Sequence, residues 1–571
     1  MFNIAAQKAL ANVLMIGSAF ITIFVAWGSV TDPVNVTKLL ALGAVAGAGF
    51  AIAISFGAGR LWGAHKVVVI SLAIFIVTVI NSVIQSDAPA SQLIYGAYGR
   101  NSGLVTYLLL TLLFVSTLAL SNKLSFLKIS YGLLAAGLIN CVYSLWVVTF
   151  GDFIGWTNPY GNILGTFGNP NFVGAFLGIF ASVLFAYLLQ PKISILVRAL
   201  SAIVLLVTFY EIKSSHAIQG IVVTAGGMAL VGFYFLRAKF KTPLIPAAYS
   251  FLVAVMGLIS VMGALQIGPL TKLIYKNSVS LRGEYWHAGW NMAAKFPFSG
   301  VGMDTYGDWY RRLRNDHALI NPGPNTISNA SHNVVLDQLA YGGWPMLVAY
   351  LVILALVVIA IMKITLRSKE FNFTFVGLAV AWICYQVQSI ISINQIGLAI
   401  WGWLLGGTLI AFERFTRSSA DEETRDGKSS GGKTRAKTKQ SVGISPFMVG
   451  VIGAVVGLLV AVPPYSSDSK WKAALGSGNV AEIEKSLAPS YLNPQNSYRY
   501  ASASQLLEAN KLYDLSYKYA KIGVKFNPDF FDAWKMLYYV QKSTPVEKAL
   551  AKENLLRLDS RNPNIFDVPQ Q

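Results

Sequence analysis

The chain is poor in charged residues, which make up only 12% of its 571 positions, whereas 54% are hydrophobic. Soluble domains carry about twice that charged fraction, so the composition excludes an ordinary soluble globular protein. Cysteine is nearly absent too, since the chain has only Cys141 and Cys384, both inside apolar runs. Two such cysteines provide neither a disulfide framework nor zinc-ligand spacing, which argues against redox and zinc chemistry.

Apolar runs of about 20 residues fill the chain instead, the length that a bilayer-spanning helix needs. They predict an all-α polytopic membrane protein with about thirteen spans, the first an uncleaved helix because it lacks a small-residue cleavage site. The runs lie near 9–30, 37–56, 67–85, 103–121, 127–149, 171–189, 194–212, 217–236, 246–265, 333–362, 371–392, 394–412 and 446–463.

The lysines and arginines of the short loops indicate an orientation, because cytoplasmic loops carry the excess of positive charge. They lie in alternate loops, on the side of the N-terminus: Arg60, Lys66, Lys123, Lys128, Lys192, Arg198, Arg237, Lys239, Lys241, Lys363, Arg367 and Lys369. We therefore predict a cytoplasmic N-terminus and an extracytoplasmic loop 266–331 and C-terminal tail. The net charge of +19 suits lipid headgroups and phosphate, and no nucleic-acid-binding motif accompanies it.

The C-terminal part differs in composition from the polytopic domain of residues 1–413. Residues 414–445 are polar and rich in Gly, Ser and Lys, which predicts a disordered basic cytoplasmic linker. A further transmembrane helix at 446–464 precedes a tail of residues 465–571, where Asn-Pro pairs recur about every 34 residues, the period of tetratricopeptide repeats. The pairs begin at Asn493, Asn527 and Asn562. We expect extracytoplasmic helical repeats, with a plain helical bundle as the alternative.

The connection of residues 266–331 is the most informative stretch, because about 65 residues are rarely spent on a loop without a function. Arg282 begins a segment of helical spacing within it, LRGEYWHAGWNMAAK. An arginine can donate two parallel hydrogen bonds to phosphate oxygens, and in a water-excluding site it could stabilise a pyrophosphate leaving group. The alternative is an arginine that extends to the lipid headgroups.

A denser cationic patch, WYRRLR, follows in the same loop and makes Arg311, Arg312 and Arg314 candidate substrate-binding residues. Asp304 and Asp308 are four residues apart and could pair with two of these arginines along a helix. A glycosidase built on the two carboxylates is the weaker interpretation, because the flanking arginines suggest neutralisation. The alternative for the patch is a solvated or headgroup-facing helix surface.

His332 stands just before the next apolar run, after the polar stretch NTISNAS. Its ring meets the positive end of the following helix, which disfavours imidazolium and leaves a neutral imidazole suited to general base catalysis. A capping or headgroup-binding histidine is the alternative. His216, His287 and His317 share this side without ligand spacing to His332, so we expect no metal site.

Two other outer loops are also informative. One carries Arg100 as its only cation, within YGAYGRNSG, and the other is GDFIGWTNPYGNILGTFGNPN. The Gly, Asn and Trp residues of the second could form sugar-facing turns, or simply turns.

These motifs together resemble the O-antigen ligase / O-antigen polymerase superfamily, which includes bacterial protein O-oligosaccharyltransferases. The resemblance covers residues 1–413 and rests on GTFGNPNFVGAFL, on Arg282 with Tyr285 and Trp286 before PFSGVGMDTY, and on SHNVVLDQLAYGGWP. It implies a GT-C-like helical membrane fold in the bacterial inner (plasma) membrane. It also implies inverting transfer of a glycan from an undecaprenyl-diphosphate donor to an acceptor hydroxyl, without a cofactor.

The resemblance further implies that Arg282 handles the diphosphate and that His332, followed by Asn333, stands beside it. The family commonly has another arginine in an SRG-like segment, where this chain reads EIKSSHAIQG. Lys213 and His216 therefore take that place, and a lysine holds phosphate only as a point charge.

The acceptor stays open between a lipid core, a growing glycan and the Ser or Thr of a protein. The repeat tail favours recognition of a protein or partner, because such repeats present concave surfaces. A polysaccharide or lipid transporter is a more distant alternative, disfavoured because the chain shows no repeated halves and its polar residues concentrate in one loop. A non-catalytic scaffold is disfavoured by the many spans.

Overall fold

The computed structural model describes residues 4–426, 444–562 and 564–566, and every regular element within them is helical. This confirms the predicted all-α polytopic class. The helices are α1 (Ile4–Ile23), α2 (Asn35–Ile84), α3 (Ala90–Tyr95), α4 (Leu104–Leu118), α5 (Lys123–Phe150), α6 (Pro170–Leu188), α7 (Ile195–Ser214), α8 (Ile218–Lys239), α9 (Leu244–Ala264), α10 (Thr271–Ile274), α11 (Asn277–Lys295), α12 (Tyr306–Leu313), α13 (His317–Ile320), α14 (Val334–Arg367), α15 (Phe373–Ser389), α16 (Ile396–Asp426), α17 (Pro446–Ser477), α18 (Val480–Leu487), α19 (Ser497–Ala509), α20 (Tyr513–Phe526), α21 (Phe531–Tyr539) and α22 (Pro545–Leu558).

Ten of the described helices are long and apolar enough to cross a membrane, and α4 and α15 are shorter apolar helices. α2 alone has 50 residues, and a straight helix of that length would measure about 75 Å, far more than the hydrocarbon core of about 30 Å. Its backbone leaves helical geometry at His65. Asn35 near its start and Asn81 near its end donate to loops that meet at Asp304, whereas Arg60 donates to the carbonyl just after α4. α2 therefore turns back near His65 and contains two of the predicted spans.

The bundle packs around α16, whose apolar window is fully buried. Phe75 of α2, Phe114 of α4 and Tyr350 of α14 surround the ring of Trp403 at centroid distances of 5.5 to 6.3 Å. α9 lies at the opposite extreme, because only 6% of its apolar window is buried. A helix that is both apolar and exposed faces the hydrocarbon of the bilayer.

α17 joins this bundle through close contact with α2. A Cβ atom at Gly43 would lie 2.5 Å from the carbonyl oxygen of Gly457, and one at Gly47 would lie 2.2 Å from that of Gly453. Small residues four apart on both helices let the two backbones approach, which is a common way of packing helices in lipid. The last predicted span is thus an integral part of the bundle.

α16 continues to Asp426, into the segment 414–445 that the sequence predicts as a disordered linker. Glu413 anchors its exit from the bundle through an ion pair with Arg367 at 2.8 Å. Residues 427–443 of the predicted linker lie outside the described residues.

The tail is a stack of short helices from the end of α17 to α22. Trp471 of α17 continues into its apolar core, which includes Ile483, Tyr500 and Leu507, and a second core forms around Trp534. Because α17 is one helix from the bundle into the tail, no loop separates the tail from its span. The assignment to tetratricopeptide repeats stays a prediction.

Candidate active site

The first turn of α14 is held by polar side chains around His332. Asn333 caps the helix by accepting from two amides of the first turn, both at 3.1 Å. The amide and hydroxyl of Ser331 donate to the buried carboxylate of Asp337 at 2.9 and 2.7 Å. His332 between them has φ of 55°, a left-handed conformation that few non-glycine residues adopt. The hydrogen bonds of the two flanking residues hold the backbone of this strained residue in place.

The imidazole of His332 is half-buried against Tyr285 of α11, with 5.3 Å between the ring centroids. Burial, together with the positive charges of Arg282 and Arg100, lowers the pKa of His332 to about 3. The direction is the one that the sequence suggests, but the sequence argument named the helix end instead of burial and two arginines. His332 is therefore neutral over the physiological pH range.

Arg282 lies on α11 and is held by backbone carbonyls. Its Nε donates to Ile391, in the loop between α15 and α16, at 2.8 Å, and one terminal nitrogen donates to Ser278 at 2.9 Å. A guanidinium has five N–H groups, so these two bonds orient the side chain and leave other donors for a ligand. Among the described residues Arg282 makes no ion pair, and its charge is not neutralised by a carboxylate.

Arg100 is the second arginine near His332 and is buried. Its Nε donates to Asp304 at 3.0 Å and a terminal nitrogen donates to the Tyr341 hydroxyl at 3.2 Å. The other carboxylate oxygen of Asp304 accepts from the amides of Ala97 and Ser102 at 2.8 and 3.1 Å. Asp304 thus fastens the loop of Arg100 to the loop before α12, and the expected pairing of Asp304 with the arginines of α12 was wrong.

A break inside α14 connects these loops to the bundle. Gly343 has φ of 66°, and Pro345 lacks the amide that would bond to Tyr341. Amides of the segment 297–302 replace the lost donors and bond to the carbonyls of Ala340 (2.9 Å) and Tyr341 (3.1 Å). The PFSGVG motif is therefore the backbone complement of the break in α14, and it positions Asp304 two residues further on.

Lys213 and His216 lie near the connection between α7 and α8, on the same face of the bundle, and both are exposed. Lys276, at the start of α11, donates to the backbone carbonyl of His216 at 2.6 Å. This bond brings the α7–α8 connection next to the helix of Arg282. Their role in substrate binding stays a prediction.

A cavity of about 420 Å³ lies beside Arg100. It is lined by side chains that suit a polar ligand with apolar faces, among them Trp156, Phe172, Asn169, Asn394 and Gln395. Asn394 Oδ1 and Gln395 Nε2 are buried and have no hydrogen-bond partner among the described residues. Unpaired buried polar groups are costly, so a cavity that carries two of them is suited to a ligand that bonds to them.

The arginines in and directly after α12 have protein partners. Arg311 and Arg314 both bond to the buried Asp559 just after α22, at 3.0 and 2.6 Å, and Arg312 pairs with Asp529 at 2.7 Å. The sequence predicts these three arginines as substrate-binding, whereas the structure shows that they attach the tail to the loop. Asn333 likewise bonds within its own helix. That these residues also contact a substrate stays a prediction.

Sequence reasoning did not identify Asp304 and Tyr341 as the two partners of Arg100. The only sequence signal was the glycine-rich PFSGVG segment before Asp304, because such a segment suggests a close backbone approach. As to metals, the described residues contain no group of three or more His, Cys, Asp or Glu side chains that could hold an ion.

Part of the chain matches a known protein family. Residues 201–351 match a family model described as O-Antigen ligase (Wzy_C). The matched segment runs from α7 into α14, so it contains Lys213, Arg282 and His332 but not Arg100. No curated protein matches the chain.

Proposed function

On the premise that residues 201–351 match the O-antigen ligase family model, we propose that the chain is a lipid-linked glycan transferase that takes part in the synthesis of membrane glycans. The donor is a glycan on undecaprenyl diphosphate, and the acceptor is a hydroxyl of a lipid core or a growing glycan. The observation that supports this most strongly is that Arg282 and Arg100 both lie close enough to His332 for their charges to lower its pKa, with a cavity beside Arg100.

In this proposal the arginines act on the donor. The free N–H groups of Arg282 bind the diphosphate and stabilise the charge that develops on it as the glycosidic bond breaks. The acceptor hydroxyl attacks the anomeric carbon from the opposite side, so its configuration inverts. His332, as a neutral imidazole, takes the proton from that hydroxyl. No metal or cofactor has a role in these steps.

A protein acceptor is the second candidate, and the tail is the observation that favours it. The tail lies directly against the loop that carries Arg282 and is attached to it by Asp559 and Asp529. A protein chain bound to the tail would therefore be close to the donor. The glycoconjugate that is lost when the gene is deleted distinguishes the two candidates. Loss of a glycolipid or a long glycan would indicate a lipid or glycan acceptor, and loss of a glycoprotein would indicate a protein acceptor.

The test of the donor mechanism is Arg282→Lys, which keeps the charge and removes the two-pronged hydrogen bond. We expect loss of most transfer with purified lipid-linked donor, by roughly 10²-fold or more, with normal membrane insertion. Arg237→Lys is the matched control, because Arg237 also donates to a backbone carbonyl, that of Ser368 at 3.1 Å, away from His332. Near-normal turnover of Arg282→Lys would contradict the proposal.

A further inference from the structure

A second cavity, of about 380 Å³, lies between the tail and the loops that carry Arg100 and α12. The bundle side contributes Gln92, Asn101 and Asp308, and the tail contributes Tyr498 and Phe531. Its volume is within the range of small-ligand sites, about 300–1,000 Å³. The donor mechanism proposed above does not use it.

Both arginines of this cavity and its Asp304 carboxylate are paired, whereas the exposed Asp532 has no ion-pair partner among the described residues. Its two arginines are both paired, Arg311 with Asp559 at 3.0 Å and Arg499 with Asp468 at 3.3 Å. Asp304, which also lines it, is paired with Arg100 at 3.0 Å. A phosphate or another anion would therefore have to displace an existing carboxylate, which makes a neutral ligand the better fit.

The other lining groups include polar and aromatic side chains, and one buried polar atom among them is unpaired. Asn101 is 5% exposed, and its Oδ1 has no hydrogen-bond partner among the described residues. Asp308 accepts from Gln92 at 2.9 Å, and burial raises its pKa to about 7, so near neutrality its carboxyl can donate as well as accept. The rings of Tyr98 and Tyr498 stack at 4.4 Å across the junction with the tail.

Hydroxyl groups that donate and accept, together with apolar C–H faces, are the features of a sugar that amides, carboxyls and aromatic rings recognise. Tyr98 and Gly99 line both this cavity and the one beside Arg100, so the two cavities are neighbours. We propose that the cavity between the tail and the loops binds a neutral oligosaccharide, namely the part of the glycan remote from its reacting end. This inference rests on the proposed function.

The test uses Asp532→Trp in the full-length protein. Asp532 is exposed, lies in the first turn of α21 and lines the cavity, so an indole there would occupy the space of a sugar. Asp514→Trp is the matched control, because Asp514 lies in the first turn of α20 and outside the cavity. The probe is the oligosaccharide released by mild acid from the lipid-linked pool of the native membranes, titrated by calorimetry.

We expect the wild type and Asp514→Trp to bind the probe alike, and Asp532→Trp to bind it at least about tenfold more weakly. Equal melting temperatures of the two variants would show that the tail stays attached. Equal binding by both variants, or no binding by the wild type, would overturn the inference. Arg282→Lys separates the two proposals: it should bind the probe normally and fail in transfer, whereas normal transfer by that variant would remove the proposed function and leave the glycan site standing.

Discussion

The loop of residues 266–331 carries arginines in two settings, on α11 and on α12. Arg282 of α11 is held by the carbonyls of Ile391 and Ser278 and has no carboxylate partner among the described residues. Arg314, directly after α12, is fully buried and paired with Asp559 at 2.6 Å. The charge of Arg282 is thus available to an anion, whereas that of Arg314 is used within the protein. Density of positive charge in a sequence therefore does not identify the anion site; the partners of each arginine do.

The largest effect on the transfer rate is expected from substitution of His332, which lies near Arg282. His332→Ala should lower the transfer rate by roughly 10²–10⁴-fold, the usual contribution of general acid–base catalysis. His332→Gln should be nearly as impaired, because the amide forms hydrogen bonds but does not accept the proton. Rates with purified donor measure this, and normal insertion of both variants is the control. An active Gln variant beside a misfolded Ala variant would assign His332 a capping role.

Removing the carboxylate that pairs with Arg311 and Arg314 should lower the stability of the protein more than its transfer rate. Asp559→Ala leaves the charges of Arg311 and Arg314 unpaired, and breaking a buried pair costs about 3–5 kcal/mol. We expect a clear fall in melting temperature and protease cleavage of the tail. Asp514→Ala is the control, because its ion pair with Lys542 is on the surface, where such pairs contribute little.

A second experiment tests whether the arginines of α12 bind substrate, as proposed for Arg282 of α11. If Arg311→Ala or Arg312→Ala raised the KM for the donor while the tail stayed protected from protease, these arginines would bind substrate as the sequence predicts.

The pH dependence of the transfer rate should show how a bound diphosphate changes the pKa of His332. In the free enzyme burial and two arginines lower the pKa of His332 to about 3, so protonation of His332 should not lower kcat/KM, which reports the free enzyme, until the pH approaches that value. A bound diphosphate offsets the charges of Arg282 and Arg100, which raises the pKa of His332. The acid limb of kcat, which reports the complex, should therefore lie at higher pH than that of kcat/KM. Coincident limbs near the ordinary value of about 6.5 would contradict a histidine between two arginines.

The smallest effect on stability is expected at an exposed ion pair between the tail and the loop. Arg561 pairs with Asp316 at 3.1 Å, but the side chains are 47% and 83% exposed. Exposed pairs contribute about 0–1 kcal/mol, so Arg561→Ala should shift the melting temperature by no more than about one or two degrees. A loss as large as that of Asp559→Ala would show that the whole contact between tail and loop acts as one cooperative network.

The sequence predicts most of the helices because membrane spans need long apolar runs. The predicted spans 194–212, 217–236 and 246–265 correspond to α7, α8 and α9 within a few residues. Periodicity did not show that two predicted spans form one helix, α2, bent at His65, since a single non-helical residue leaves no mark in hydropathy. For the site, residue type and position made Arg282 and His332 candidates, and their catalytic roles stay predictions.

The sequence by itself determined the membrane class, the helices and the two residue types suited to diphosphate chemistry, because these depend on composition and local order. Only the tertiary structure decided which charges are available. Arg100 meets Asp304 across 204 positions and Arg314 meets Asp559 across 245, and no local pattern encodes such pairs. Ion pairing depends on distance in space and on burial, so the same residue type is left available to a ligand in one place and neutralised in another.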